Sequence, residues 1–120
     1  MPDPDAMAQA IRTYCRAETE ADWDAFIALF ADKVLHEDPV GVGIRHDRAG
    51  LEEIWGMAQA GKVELWLEHD PIVCGREAVA IMRCRTGPED ARRETGPIID
   101  HFVFDEAGRI TSVRAFYKYR

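Results

Sequence analysis

The sequence predicts an α+β fold, with three helices in the first half of the chain and an antiparallel sheet in the second. Apolar residues recur at helical spacing until Ala60. Beyond it, four runs rich in β-branched and aromatic residues are separated by short turn signals. The chain has 120 residues, which suits one domain spanning 1–120 around a single core.

Met7, Ile11, Tyr14 and Cys15 form the apolar stripe of the first helix, leaving Arg12, Arg16 and Glu20 for the other side. Asp22 is a good N-cap for a second helix, on which Trp23, Phe26, Ile27 and Phe30 follow the i, i+3, i+4, i+7 pattern. Val34 to Asp38 reads as a short strand, stopped by Pro39 and by Gly41 and Gly43. A third helix covers Arg48 to Ala60, with Leu51, Ile54 and Trp55 inward and Gly61 as its C-cap. Strands follow at Val63–Glu68, Ala78–Thr86, Ile98–Phe104 and Ile110–Lys118. Between them lie Asp70-Pro71, Gly87-Pro88-Glu89-Asp90 and Asp105-Glu106-Ala107-Gly108. Short connections favour pairing of consecutive strands, so a meander is expected. Both phases of the 98–104 run are apolar, so each face of the sheet needs a cover. Helices supply one and a second subunit could supply the other, which points to a homodimer.

The net charge of −7 argues against a nucleic-acid partner, which rewards clustered Lys and Arg. Arg83, Arg85, Arg92 and Arg93 surround the expected hairpin tip and read as charge that keeps a sheet edge soluble. No run approaches the roughly 18 apolar residues of a membrane span. Met1-Pro2-Asp3-Pro4-Asp5 lacks the basic start and apolar stretch of a signal peptide, so a cytoplasmic protein with no membrane partner is expected. Cys15, Cys74 and Cys84 are odd in number and show no C-x-x-C spacing, which suggests reduced thiols inside a cell. His36, His46, His69 and His101 form no H-E-x-x-H or comparable set, so the sequence gives no case for a metal.

Asp100 is the most informative residue. It sits in the apolar run Pro97-Ile98-Ile99-Asp100-His101-Phe102-Val103-Phe104, on the face shared by Ile98, Phe102 and Phe104. A carboxylate there must be paired or neutral, because an isolated buried charge costs more than a domain can tolerate. A neutral carboxylic acid in an apolar pocket is a hydrogen-bond donor able to hold a developing oxyanion. Tyr14, on the first helix, is a second candidate donor, since a buried tyrosine hydroxyl needs a partner. Asp38, ending its strand before Pro39, is a candidate general base. Two donors aimed at one point, with an ionised carboxylate nearby, suit proton abstraction next to a carbonyl. Singly, Tyr14 also reads as a core aromatic and Asp38 as a strand-ending turn residue. The joint pattern carries the argument.

The segment Phe30-Ala31-Asp32-Lys33-Val34-Leu35-His36-Glu37-Asp38-Pro39-Val40-Gly41 resembles the "ADD..VEDP.G" signature of the ketosteroid isomerase family. The stretch from Asp100 through Phe104-Asp105-Glu106-Ala107-Gly108-Arg109-Ile110 is similar to that family's second signature, an Asp-bearing strand leading to "FDE.GRI". Tyr14 lies where the family's catalytic tyrosine is expected. The hairpin signature alone is shared by many cone-shaped relatives, including the polyketide cyclases and the nuclear-transport-factor-2-like group. The combination of Tyr14, Asp38-Pro39 and Asp100 is more specific.

The resemblance implies a strongly curved, mainly antiparallel sheet wrapped around the helices as a conical barrel with an apolar pocket, in a protein that dimerises. It implies Asp38 as proton shuttle, with Tyr14 and protonated Asp100 as the grip on a dienolate oxygen, and no cofactor. The substrate would be a small apolar ketone, a 3-oxo-Δ5 steroid. Phe30, Trp55, Val63, Met82, Ile98, Phe102, Val113, Ala115 and Tyr117 are candidates for the pocket lining. Phe30 and Trp55 stand where some members carry supporting tyrosines, so a longer tyrosine chain is not expected. The loop Val42 to Asp47 is shorter than in some relatives. Alternatives are a polyketide-cyclase-like enzyme acting on another ketone and a non-catalytic module that binds apolar ligands.

Overall fold

The computed structural model describes residues 1–119. Helix α1 (Pro4–Glu20) starts with proline, whose missing N–H costs nothing in the first turn, and ends on Ala21 in the left-handed conformation (φ 58°). Met7, Ile11, Tyr14, Cys15 and Ala17 are buried along one side of it. Helix α2 (Trp23–Ile27) is capped by Asp22, whose side chain accepts from the Ala25 N–H at 3.1 Å. The expected stripe ran on to Phe30, but the chain leaves the helix earlier. The Ile110 N–H donates to the Leu29 carbonyl at 2.8 Å, and Phe30 pairs with Ile110 as the first residue of strand β1 (Phe30–Glu37). A strand partner distant in sequence outcompetes one more helical turn, which the local spacing could not reveal.

A two-residue strand, β2 (Ile44–Arg45), folds back on β1. Helix α3 (Arg48–Ala60) is capped by Asp47, which accepts from the Gly50 N–H at 2.8 Å. Gly61 is its C-cap, yet with an ordinary φ of −81°; Lys62 takes the left-handed conformation instead. The remaining strands are β3 (Glu64–Leu67), β4 (Ile72–Cys74), β5 (Glu77–Thr86), β6 (Arg93–Phe104) and β7 (Ile110–Phe116). The sheet runs β2-β1-β7-β6-β5-β3, with β4 paired to β5. Strands β5, β6 and β7 form the expected meander. The first strand, β1, joins β7 in parallel, a long-range pairing that the sequence order did not suggest.

Register shifts at Met82/Cys84 and Val103/Phe104 mark irregularities of the kind that bend strands, and the sheet curves without closing. Its inner face carries Ala78, Ala80, Met82, Asp100, Phe102, Phe104, Val113 and Ala115, all buried. The aromatic rings of Tyr14 and Phe102 meet edge to face at 5.4 Å, and Phe26 packs on Trp55 at 4.7 Å. On the outer face Val79, Ile99 and Phe116 stay partly exposed, so a single chain covers only one side. Three of the four arginines near the hairpin tip are paired with acids: Arg83 with Glu68 and Glu94, Arg85 with Glu64 and Glu94, Arg92 with Glu64. No helix among the described residues is long and apolar enough to cross a membrane.

Candidate active site

A cavity of about 560 Å³ opens between α1, α3 and the concave face of the sheet. That volume suits a small organic ligand. Tyr14, Asp38 and Asp100 all line it.

Asp100 is 4% exposed. Its cross-strand neighbours are Ala80 on β5 and Ala115 on β7, whose small side chains leave room above the carboxyl. Its Oδ1 is buried with no hydrogen-bond partner among the described residues. Burial first, then the charges of Asp38 and Glu18, push its pKa well above the carboxylate range. Protonated, it can donate into the cavity. The Tyr14 hydroxyl likewise makes no hydrogen bond to a described residue, and burial raises its pKa, helped by Glu18, Asp100 and Asp38. No bond links Tyr14 to Asp100, so both donors are left for a ligand.

Asp38 is less buried than Asp100 and follows the last residue of β1. The Tyr117 hydroxyl donates to its Oδ1 at 2.8 Å. Burial and that bond raise the pKa of Tyr117, so the phenol stays protonated as a donor. The loop beyond is tightly held. The Glu37 carboxylate accepts from the Gly41 N–H at 2.8 Å and from Arg114 Nε at 2.9 Å, which lowers its pKa in that order of effect. The Asp38 N–H donates to the Gly43 carbonyl at 2.8 Å, and the Val40 N–H to that of Ala115 at 2.9 Å. A Cβ on Gly43 would sit 2.5 Å from the Asp38 carbonyl oxygen, so the close approach needs glycine.

Of the expected lining residues, the structure brings Val63, Met82, Ile98 and Tyr117 to the cavity wall. Phe30, Trp55, Phe102, Val113 and Ala115 are not on that wall. Phe30, Phe102, Val113 and Ala115 are buried, and Phe30 packs on Phe26 at 4.9 Å. Trp55 packs on Trp23 and Phe26. An apolar residue on the inner face can serve the core or the cavity, and composition does not separate the two. The wall also holds ionisable residues that the sequence did not single out, among them Glu18, His36 and Arg45. Glu18 follows Tyr14 by four residues, and His36 precedes Asp38 by two. Helical and strand periodicity therefore placed each beside a chosen residue. His36 is 2% exposed with Nδ1 unpartnered, and burial, helped by Arg45 and opposed by Asp38, lowers its pKa. Among the described residues no group of His, Cys, Asp and Glu could hold a metal ion.

Residues 11–113 match the SnoaL-like domain. The chain belongs to the SnoaL-like family. This SnoaL-like chain is also 35% identical over 108 residues to a steroid Delta-isomerase of Nocardioides simplex, covering 90% of this chain and 86% of that protein. The likeness to ketosteroid isomerases read from the two signatures thus extends over nearly the full length. Three solved structures share the cone-shaped fold. One is an epoxide hydrolase/cyclase-like enzyme, SalBIII, of pyran ring formation in the polyether salinomycin (TM-score 0.89, 24% identity, 99% of this chain and 95% of that one). Another is a Mycobacterium tuberculosis protein in complex with estradiol-17beta-hemisuccinate (TM-score 0.83, 18% identity, 95% of both chains). The third is a computationally designed 17-OHP binder (TM-score 0.81, 20% identity, 95% and 92%).

Proposed function

We propose that this protein is a steroid Δ-isomerase, converting 3-oxo-Δ5 steroids to conjugated 3-oxo-Δ4 steroids. The observation that carries this reading is the meeting of Tyr14, Asp38 and Asp100 on one cavity, with two unpartnered donors and a carboxylate held by Tyr117. The steroid Delta-isomerase of Nocardioides simplex supports the substrate class. Asp38 takes a proton from the carbon between the ketone and the double bond. The electrons move onto the ketone oxygen as a dienolate, gripped by the Tyr14 hydroxyl and the Asp100 carboxylic acid. Asp38 then returns the same proton two carbons away. Ketosteroid isomerases are themselves the standard example of a carboxylic acid kept neutral by an apolar site. The partly exposed outer face of the sheet, with Ile99 and Phe116, would pair with a second copy of the chain.

The test is to mix the protein with 5-androstene-3,17-dione and follow the ultraviolet absorbance of the conjugated enone. Turnover that falls about 10²–10⁴-fold in Asp38→Asn is the expected result. Tight steroid binding with no turnover in the wild type would overturn the enzyme reading in favour of a binding module. Light scattering measures the oligomeric state, and a monomer at micromolar concentration would remove the dimer.

A further inference from the structure

The proposed mechanism leaves Glu18 unused. It lies one helical turn beyond Tyr14 on α1 and lines the same cavity. Its carboxyl makes no hydrogen bond or ion pair with a described residue; only its backbone carbonyl is engaged, by Gln59 Nε2 at 2.9 Å. Val63, Leu65, Met82 and Ile98, also on the wall, are apolar. Burial first, then the charge on Asp38, push its pKa up to about 8. Near neutral pH it is therefore largely a carboxylic acid, with one donor and one acceptor on offer. The cavity has further unsatisfied polarity in the buried Nδ1 of His36 and Oδ1 of Asp100.

A plain hydrocarbon skeleton filling this cavity would strip water from the Glu18 carboxyl and give it no partner, which weakens binding. A hydroxyl at that point would satisfy it. We infer that Glu18 is a specificity-determining residue, and that the ligand is an oxygenated ketone with a hydroxyl near the gripped carbonyl. Glu18 and Tyr14 lie on the same side of α1 one turn apart and line the same cavity, so the hydroxyl belongs on the part of the ring system nearer the ketone and not at the far end of the molecule. This deepens the isomerase reading and rests on it for the position of the ketone at Tyr14 and Asp100.

The test compares binding of three product-type probes by quenching of tryptophan fluorescence: 4-androstene-3,17-dione and its 6β-hydroxy and 19-hydroxy derivatives. Wild type is expected to bind at least one hydroxylated probe about tenfold or more tighter than the parent. Glu18→Gln keeps a donor and an acceptor and should retain most of that preference. Glu18→Leu should tighten the parent and lose the preference. An unchanged ratio in Glu18→Leu, or a wild type that favours the parent, overturns the inference while leaving turnover of 5-androstene-3,17-dione intact. Failure of all three probes to bind folded wild type would overturn the steroid reading and this inference with it.

Discussion

Replacing Asp100 with Asn should make the fold more stable at neutral pH and flatten its pH dependence. In the folded chain, burial and the charges of Asp38 and Glu18 hold the Asp100 pKa well above its ordinary value. The unfolded chain loses that environment, and the carboxyl then titrates near pH ~3.9. Above that pH the native state binds more protons than the unfolded state, so stability falls as pH rises towards the folded-state pKa. The contribution is complete below about pH 4 and shrinks by about 1.4 kcal/mol per pH unit for one proton. Glu18, pushed up to about 8, adds a slope of the same sign. Glu37, held below its ordinary value, acts in the opposite sense at acid pH. Both remain in the variant, so the difference between the two proteins isolates Asp100 to first order. Asn keeps the shape and cannot ionise. Between pH 5 and 7 the advantage of the variant over wild type should grow with pH, at a rate no steeper than the one-proton slope. Urea unfolding followed by tryptophan fluorescence at pH 5, 6 and 7 measures this. Parallel pH slopes for the two proteins would mean that Asp100 is ionised and paired in the fold, and the oxyanion argument would fail with it.

Tyr14→Phe should lower kcat about 10²–10³-fold, the usual cost of one oxyanion donor, because only the hydroxyl is lost. Its unfolding free energy should change by less than ~1 kcal/mol, since the ring still packs on Phe26 and Phe102 and the hydroxyl has no protein partner. Tyr117→Phe removes the 2.8 Å bond to Asp38 and should cut kcat about tenfold or more with little change in KM; an unchanged kcat would show that Asp38 orients without it. Gly43→Ala forces a Cβ against the Asp38 carbonyl and should lower both activity and thermal midpoint. Gly56→Ala, in open space within α3, should instead raise stability by about 0.5–1 kcal/mol in a thermal melt.

Where local signals were strong, the chain read well. The stripe from Met7 to Cys15 gave α1, the Asp22 and Asp47 caps gave the starts of α2 and α3, and the long apolar runs gave β5, β6 and β7. The losses share one cause. Strands β2 and β4, of two and three residues, are too short to show alternation and exist because a neighbour pairs them. Strand β6 starts at Arg93 and not at Ile98, because a polar, exposed stretch pairs with Cys84, Arg85 and Thr86. Burial patterns cannot mark a strand that buries nothing. The parallel contact of β1 with β7 joins stretches far apart in the chain, such as Phe30 and Ile110, and left no trace in spacing. At the site, Asp100 was legible because a carboxyl on an apolar face is anomalous. Glu18 follows Tyr14 by four residues on the same side of α1, but the other charged residues of that helix are exposed, so an acid there reads as solvated surface until the cavity is seen.

The two aspartates face the same space but are held differently, and that difference sets the order of charges during the proposed reaction. Asp38 is half-buried with a phenol donating to it; Asp100 is buried, between two alanines, with nothing donating to its Oδ1. The charge on Asp38 is one reason that Asp100 stays protonated. When Asp38 takes a proton, that charge leaves its carboxyl and reappears on the ketone oxygen beside Tyr14 and Asp100. A charge next to Asp100 therefore persists through both proton transfers, and it lies closest at the dienolate, when the acid has most reason to keep its proton and share it in a hydrogen bond. Replacing either aspartate with asparagine breaks this alternation. Asp38→Asn leaves no group to accept the proton, and Asp100→Asn leaves a weaker donor at the oxygen.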